Sequence, residues 1–159
     1  MAHVFVDLKG KTAVITGASR GIGRAIAARL AEHGANMVLA ARTQGPLDTA
    51  VQELKNKYHI EAIGIPTDVA KLEDLKNLVE KARARFKQID ILVNVAGVSS
   101  QHPFHQQPIE DFEMLAHVNY LGYVRLIRLV IPDMVARRAG RSSVLFPVRR
   151  WWTPSRADF

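Results

Sequence analysis

Eight residues near the N-terminus, TGASRGIG (16–23), join an apolar run, KTAVITG (11–17), to a stretch with helical spacing. Glycines at 17, 21 and 23 strip that turn of side chains. Its backbone N–H groups and the positive end of the following helix can then approach a pyrophosphate. A plain strand-to-helix turn also accepts glycines, and this G-x-x-x-G-x-G differs from the more familiar G-x-G-x-x-G. The position between strand and helix favours the dinucleotide reading. Candidate contacts in the loop are Gly17, Ser19, Arg20, Gly21, Ile22 and Gly23.

The end of the next strand refines the expectation. A fold that binds NAD usually offers Asp or Glu there to the ribose 2′-hydroxyl. Here the strand ends Ala40-Ala41-Arg42, with no acid. Arg42, with Arg20 from the glycine loop, can instead hold a 2′-phosphate, and charge-assisted bonds of this kind are worth about 1.5–3 kcal/mol each. The alternative is that both are solvated surface arginines. NADP(H) is expected in preference to NAD(H).

The elements that would position these residues alternate along the chain. Ile22, Ile26 and Leu30 recur on one helical face, and Gly34 supplies a stop. NMVLAA (36–41) reads as a second strand, and Leu47, Ala50, Val51, Leu54 and Tyr58 as a second helical stripe. EAIGIP (61–66) is a third strand, Leu72 to Phe86 a third helix, and IDILVNVAG (89–97) a fourth strand. A long helix follows over 109–138, where Pro132 predicts a kink or break near Ile131. SSVLFPV (142–148) is the expected fifth strand. Alternating strands and helices predict right-handed crossovers and an α/β, Rossmann-type, doubly wound parallel sheet, in the order 3-2-1-4-5 and incomplete on its C-terminal side.

Composition narrows the class. The chain has 159 residues, no cysteine and a net charge of +7. Without cysteine there are no disulfides and no thiolate metal sites, and a reducing cytoplasm is expected. No N-terminal apolar leader is visible, and no stretch looks like the run of about 18 apolar residues that marks a membrane span. The positive charge sits mostly in residues 137–159, which hold six arginines against Asp158. That distribution argues against a nucleic-acid-binding domain.

Several motifs in order resemble the classical short-chain dehydrogenase/reductase family over about residues 7–141. TGASRGIG is similar to its cofactor loop. Asp68-Val69 matches the acidic pair after the third strand, whose Asp meets the adenine. NVAG (94–97) matches N-N-A-G, giving Asn94, Ala96 and Gly97 as site residues with Val95 in place of the second Asn. HVNYLG (117–122) matches the segment carrying the catalytic Asn, here Asn119. Asn119 also stands out on its own, as a polar residue on the stripe Phe112, Ala116, Asn119, Tyr123, Leu126, Val130. A polar group there is costly unless paired, so a satisfied structural Asn is the competing reading. His102 and His105 read as surface or substrate-side residues, and no metal site is expected.

The resemblance implies reversible hydride transfer between a nicotinamide and a small carbonyl or alcohol substrate. It also implies a Ser and a Tyr-x-x-x-Lys motif as acid/base machinery. Tyrosine occurs only at 58, 120 and 123, and the residues four later are Ala62, Val124 and Ile127. The family's Ser would fall near Pro147, and its Tyr beyond residue 159. Residues 1–141 are therefore expected to form the nucleotide-binding domain. Residues 142–159, which hold VLFPVRRWWTPSRADF, are expected to be an atypical tail from a shifted frame or alternative splice, or else a basic docking arm. The expected function is an NADP(H)-dependent oxidoreductase, catalytically impaired in this chain. A non-catalytic or regulatory NADP(H)-binding fragment is the alternative, and a homo-oligomer through helix 109–138 is expected.

Overall fold

The computed structural model describes residues 6–100 and 102–144. Five strands form one parallel sheet in the order β3-β2-β1-β4-β5. They are β1 Thr12–Thr16, β2 Asn36–Ala41, β3 Ala62–Pro66, β4 Ile91–Asn94 and β5 Arg141–Val144. The helices are α1 Gly21–Glu32, α2 Gln44–Tyr58, α3 Leu72–Phe86, α4 Ile109–Ala116 and α5 Gly122–Ala136.

Side-chain alternation along the strands splits the core into two layers. Ala13, Ile15, Met37 and Leu39 face α1 and α2, where Ala27, Ala31, Leu47, Ala50 and Leu54 close the layer. Val14, Val38, Ala40 and Leu92 face the other way, onto Leu75, Leu78, Val79 and Ala82 of α3 and Leu126, Val130 and Met134 of α5. All five residues of β1 are buried, as a central strand covered on both faces requires. The C-terminal ends of β1, β2, β3 and β4 therefore open on the same side of the sheet.

Three expectations need correction. The buried stripe of α1 is Gly23, Ala27 and Ala31, offset by one residue from the predicted face, and Ile22 is 62% exposed. Small residues take that face because α1 lies close to the strands. The helix over 109–138 is not broken near Ile131. Pro132 sits inside α5 on an exposed face, where water can serve the Arg128 carbonyl that has lost its donor. The interruption comes earlier, as a π turn at His117–Leu121 between α4 and α5. Third, the whole of Ile109–Ala136 is a 28-residue helix long and apolar enough, by length and composition, to cross a membrane. Here its Tyr123, Leu126, Val130 and Met134 are buried in the fold. The expected fifth strand is seen as β5, whose Ser142 and Ser143 pair with Leu92 and Val93, while positions 145–148 of that strand lie outside the described residues.

At the opposite end of the sheet one residue, through its side chain and its backbone, ties the start of β4 to β1 and β5. Asp90 is buried, and its side chain accepts from the Thr12 N–H at 3.0 Å and from Gln88 Nε2 at 3.0 Å. Its own N–H donates to the Thr12 carbonyl and its carbonyl accepts from Arg141 N–H, both at 2.9 Å. Asp90→Ala leaves a buried amide without its acceptor and is expected to cost about 1–3 kcal/mol in urea unfolding. Asp90→Asn keeps an acceptor and should lose less. Equal losses would mean that the hydrogen bond is not what holds this corner.

Candidate functional site

At the C-terminal ends of the strands lies a crevice of about 480 Å³, within the ~300–1,000 Å³ of small-molecule sites. Its floor is the turn from β1 into α1. Gly17 has φ +66°, and a Cβ there would lie 2.9 Å from both Cα and N of Ala96. A Cβ on Gly23 would lie 2.3 Å from the Gly17 carbonyl oxygen. Neither position accepts a side chain without moving backbone. The buried Thr16 hydroxyl fixes the same junction by accepting from the Val95 and Ala96 N–H groups at 3.0 and 3.1 Å.

The start of α1 is chemically open. Arg20 at its N-cap makes no side-chain capping bond, and its first turn carries no acid. The leading N–H groups of a helix have no partner within the helix, so this end offers donors and positive potential to an anion. Arg20 and Arg42 both line the crevice and are exposed, and neither makes an ion pair among the described residues. Two uncommitted guanidinium groups thus flank the open helix end.

The far wall comes from the loop after β3. Asp68 is half-buried, accepts from Ala70 N–H at 3.1 Å, and donates its own N–H to Asp74 Oδ2 at 2.8 Å. Val69 is buried beside it, and Thr67 is tied back to the Ala41 carbonyl at 2.9 Å. The near wall is the loop after β4, with Val95, Ala96, Gly97 and Val98.

Of the residues singled out in the sequence, Gly17, Ser19, Arg20, Gly21, Ile22, Gly23, Arg42, Asp68, Val69, Ala96 and Gly97 all line this crevice. Asn94 and Asn119 do not. Asn94 ends β4 fully buried beside Val144, and its amide atoms have no hydrogen-bond partner among the described residues. Asn119 acts on the wall from behind. Its Oδ1 accepts from Val98 N–H at 2.9 Å and its Nδ2 donates to the Val98 carbonyl at 2.8 Å. Sequence reasoning missed Thr16, Thr67, Val98 and Val118. A hydroxyl at the end of a buried strand needs a partner, and that was the available signal for Thr16.

Among the described residues, no other titratable side chain lines the crevice. His102 is exposed, with Nδ1 3.3 Å from Asp111, which also accepts from the Ser100 hydroxyl at 2.8 Å. Tyr120 is 60% exposed. Tyr123 is buried and donates its hydroxyl to the Ala96 carbonyl at 2.5 Å. Burial raises its phenol above the ordinary tyrosine value, so it stays a neutral donor.

The comparisons with known proteins agree with this geometry. An uncharacterized oxidoreductase of Listeria monocytogenes is 40% identical over 135 residues, covering 85% of this chain and 54% of that one. The crystal structure of L-sorbose reductase from Gluconobacter frateurii, complexed with NADPH and L-sorbose, superposes with a TM-score of 0.85 at 37% identity, over 89% of this chain and 54% of that one. An alcohol dehydrogenase from the archaeon Thermococcus sibiricus, complexed with 5-hydroxy-NADP, gives 0.80 at 34% identity over 84% of this chain and 57% of that one. The chain spans about half the length of these relatives. With the family model for short chain dehydrogenase matching residues 11–143, this chain belongs to the short-chain dehydrogenase/reductase family.

Proposed function

We propose that the chain holds NADP(H) in this crevice and carries the cofactor-binding part of an oxidoreductase that interconverts small carbonyls and alcohols in the cytoplasm. The carrying observation is the open start of α1 flanked by Arg20 and Arg42, with no carboxylate where β2 ends. An acid at that position would repel a 2′-phosphate, whereas two arginines attract it. The NADPH and NADP analogue bound by the structural relatives support the same choice.

The residues fit the cofactor by role. Gly17 and the α1 N–H groups would face the pyrophosphate, Asp68 and Val69 the adenine, and Arg20 and Arg42 the 2′-phosphate. Asn119 would set the near wall by holding Val98. When bound, the nicotinamide supplies or takes the hydride. The proton is a separate problem. Tyr123 is locked to Ala96 in a site that raises its pKa, which is the wrong direction for an acid/base tyrosine near neutrality. Ser142 and Ser143 pair with β4 residues that precede Asn94, short of the crevice end. A second reading, a binding-only or regulatory role, is supported by the absence of an acid/base pair at the crevice among the described residues. The oligomer expected through the long helix finds support in Tyr120, Val124, Ile131 and Val135, which line one exposed stripe.

Three measurements follow. Calorimetry should find NADPH bound more tightly than NADH, and Arg42→Ala should weaken NADPH about tenfold or more while leaving NADH unchanged. Equal wild-type affinities for the two cofactors would end the NADP(H) assignment. With ketone substrates, the 159-residue chain should oxidise NADPH roughly 10²–10⁴ more slowly than a chain extended after Arg141 with the C-terminal third of a relative. Matching rates would place the acid/base group within the present sequence. In sedimentation velocity, Val124→Asp and Val135→Asp should shift an oligomer toward monomer, and an unchanged profile would exclude this face.

A further inference from the structure

The two walls of the crevice come from strands that do not touch. β3 and β4 are separated by β2 and β1, so the loops after them start about 14 Å apart at the usual strand spacing. One helical segment reaches both. On the β3 side, Gly122 is fully packed against the loop: a Cβ there would lie 2.8 Å from the Val69 carbonyl oxygen and 3.3 Å from Val69 Cβ. One turn on, Arg125 Nη1 donates to the Ala70 carbonyl at 3.1 Å. On the β4 side, Asn119 makes its two bonds to Val98 and Tyr123 its bond to Ala96. The π turn His117–Leu121 contains Asn119 and ends immediately before Gly122. Single π turns inside α-helices are found frequently at functional sites.

We infer that Gly122 and Arg125 are positioning residues, which transmit occupancy of the Asp68–Val69 wall through the π turn to Asn119 and so to Val98. This rests on the placement of adenine against Asp68 and Val69. A ligand pressing on Val69 meets helix backbone directly, because no side chain intervenes at Gly122. Arg125 makes the loop and the helix move together. Ordering the adenine wall then orders the Val98 wall before the rest of the cofactor arrives. The coupling would run through packed contacts and hydrogen bonds, with the π turn as the element between them.

The test uses the 159-residue chain and adenosine 2′-monophosphate, a probe that carries the adenine and the 2′-phosphate but no nicotinamide. Calorimetry establishes binding. Hydrogen exchange then follows the Val98 amide, whose N–H is held by Asn119, relative to the core amide of Val14, which reports global opening. Saturating probe should slow Val98 exchange roughly fivefold or more beyond any change at Val14. Gly122→Ala and Arg125→Met should still bind the probe but lose that extra protection. Arg125→Met removes one hydrogen bond and keeps most of the side-chain volume, so it carries the test if Gly122→Ala does not fold. Probe binding without added protection at Val98, or full protection retained in Arg125→Met, would overturn the inference. Absence of probe binding would overturn the adenine placement itself, and the inference with it.

Discussion

The site rests on a contact between backbones. At the β1–α1 turn the Gly17 carbonyl lies where a Cβ of Gly23 would have to be, and Gly17 itself abuts the backbone of Ala96. The turn is thus wedged between its own helix and the loop after β4. Thr16 closes the wedge by taking two N–H groups from that loop. Three residues therefore fix the floor of the crevice, the direction of α1, and the height of the near wall. The affinity of the helix end for an anion depends on this, because N–H groups act as an anion site only when no side chain or cap stands in front of them.

Most of the scaffold was legible because it is governed by period. Ala13 and Ile15 face one layer and Val14 the other, so β1 reads as a continuous apolar run, which distinguishes a doubly covered strand from a half-exposed one. The stripe of α2 holds at Leu47, Ala50, Val51 and Leu54, which are buried, while in α3 Leu75, Leu78, Val79 and Ala82 are buried but Leu72, the first residue of that apolar stripe, is exposed. In helix α1 Ile26 and Leu30 pack at the edge of the core, but the buried face is Gly23, Ala27 and Ala31 and Ile22 is exposed, so large apolar residues do not mark its inner face. Where a helix start must lie against a strand-end turn, small residues take that face, and Ile22 is left over the crevice.

The long helix shows the other limit. Proline is a visible signal and was given weight, but the helix runs on through Pro132, whose exposed position leaves the Arg128 carbonyl to water. The π turn has no comparable residue signature. It arises where Asn119 reaches back to Val98 while Gly122, three residues on, is pressed against Val69. Those constraints come from loops fifty and twenty residues earlier in the chain, and local spacing cannot report them. Asn119 was visible as a misfit on an apolar stripe. What the sequence could not supply was its partner, and the partner decides whether such a residue faces a ligand or holds a loop.

The crevice also separates two jobs that a single site usually combines. Its floor and far wall come from the ends of β1, β2 and β3, where open donors, two arginines and Asp68 are suited to a charged, extended ligand. Its near wall comes from β4 and is held by hydrogen bonds from Asn119 and Tyr123, side chains spent on backbone rather than offered to a substrate. Binding strength thus resides where the charges are, and precision resides where the neutral hydrogen bonds are. A loss of charge at Arg42 and a loss of geometry at Asn119 should therefore be felt at different ends of the same ligand. The segment from Asn119 to Arg125 is the one stretch, among the described residues, that makes named contacts with both walls. That places the mechanical link between the two jobs in the helix rather than in the sheet.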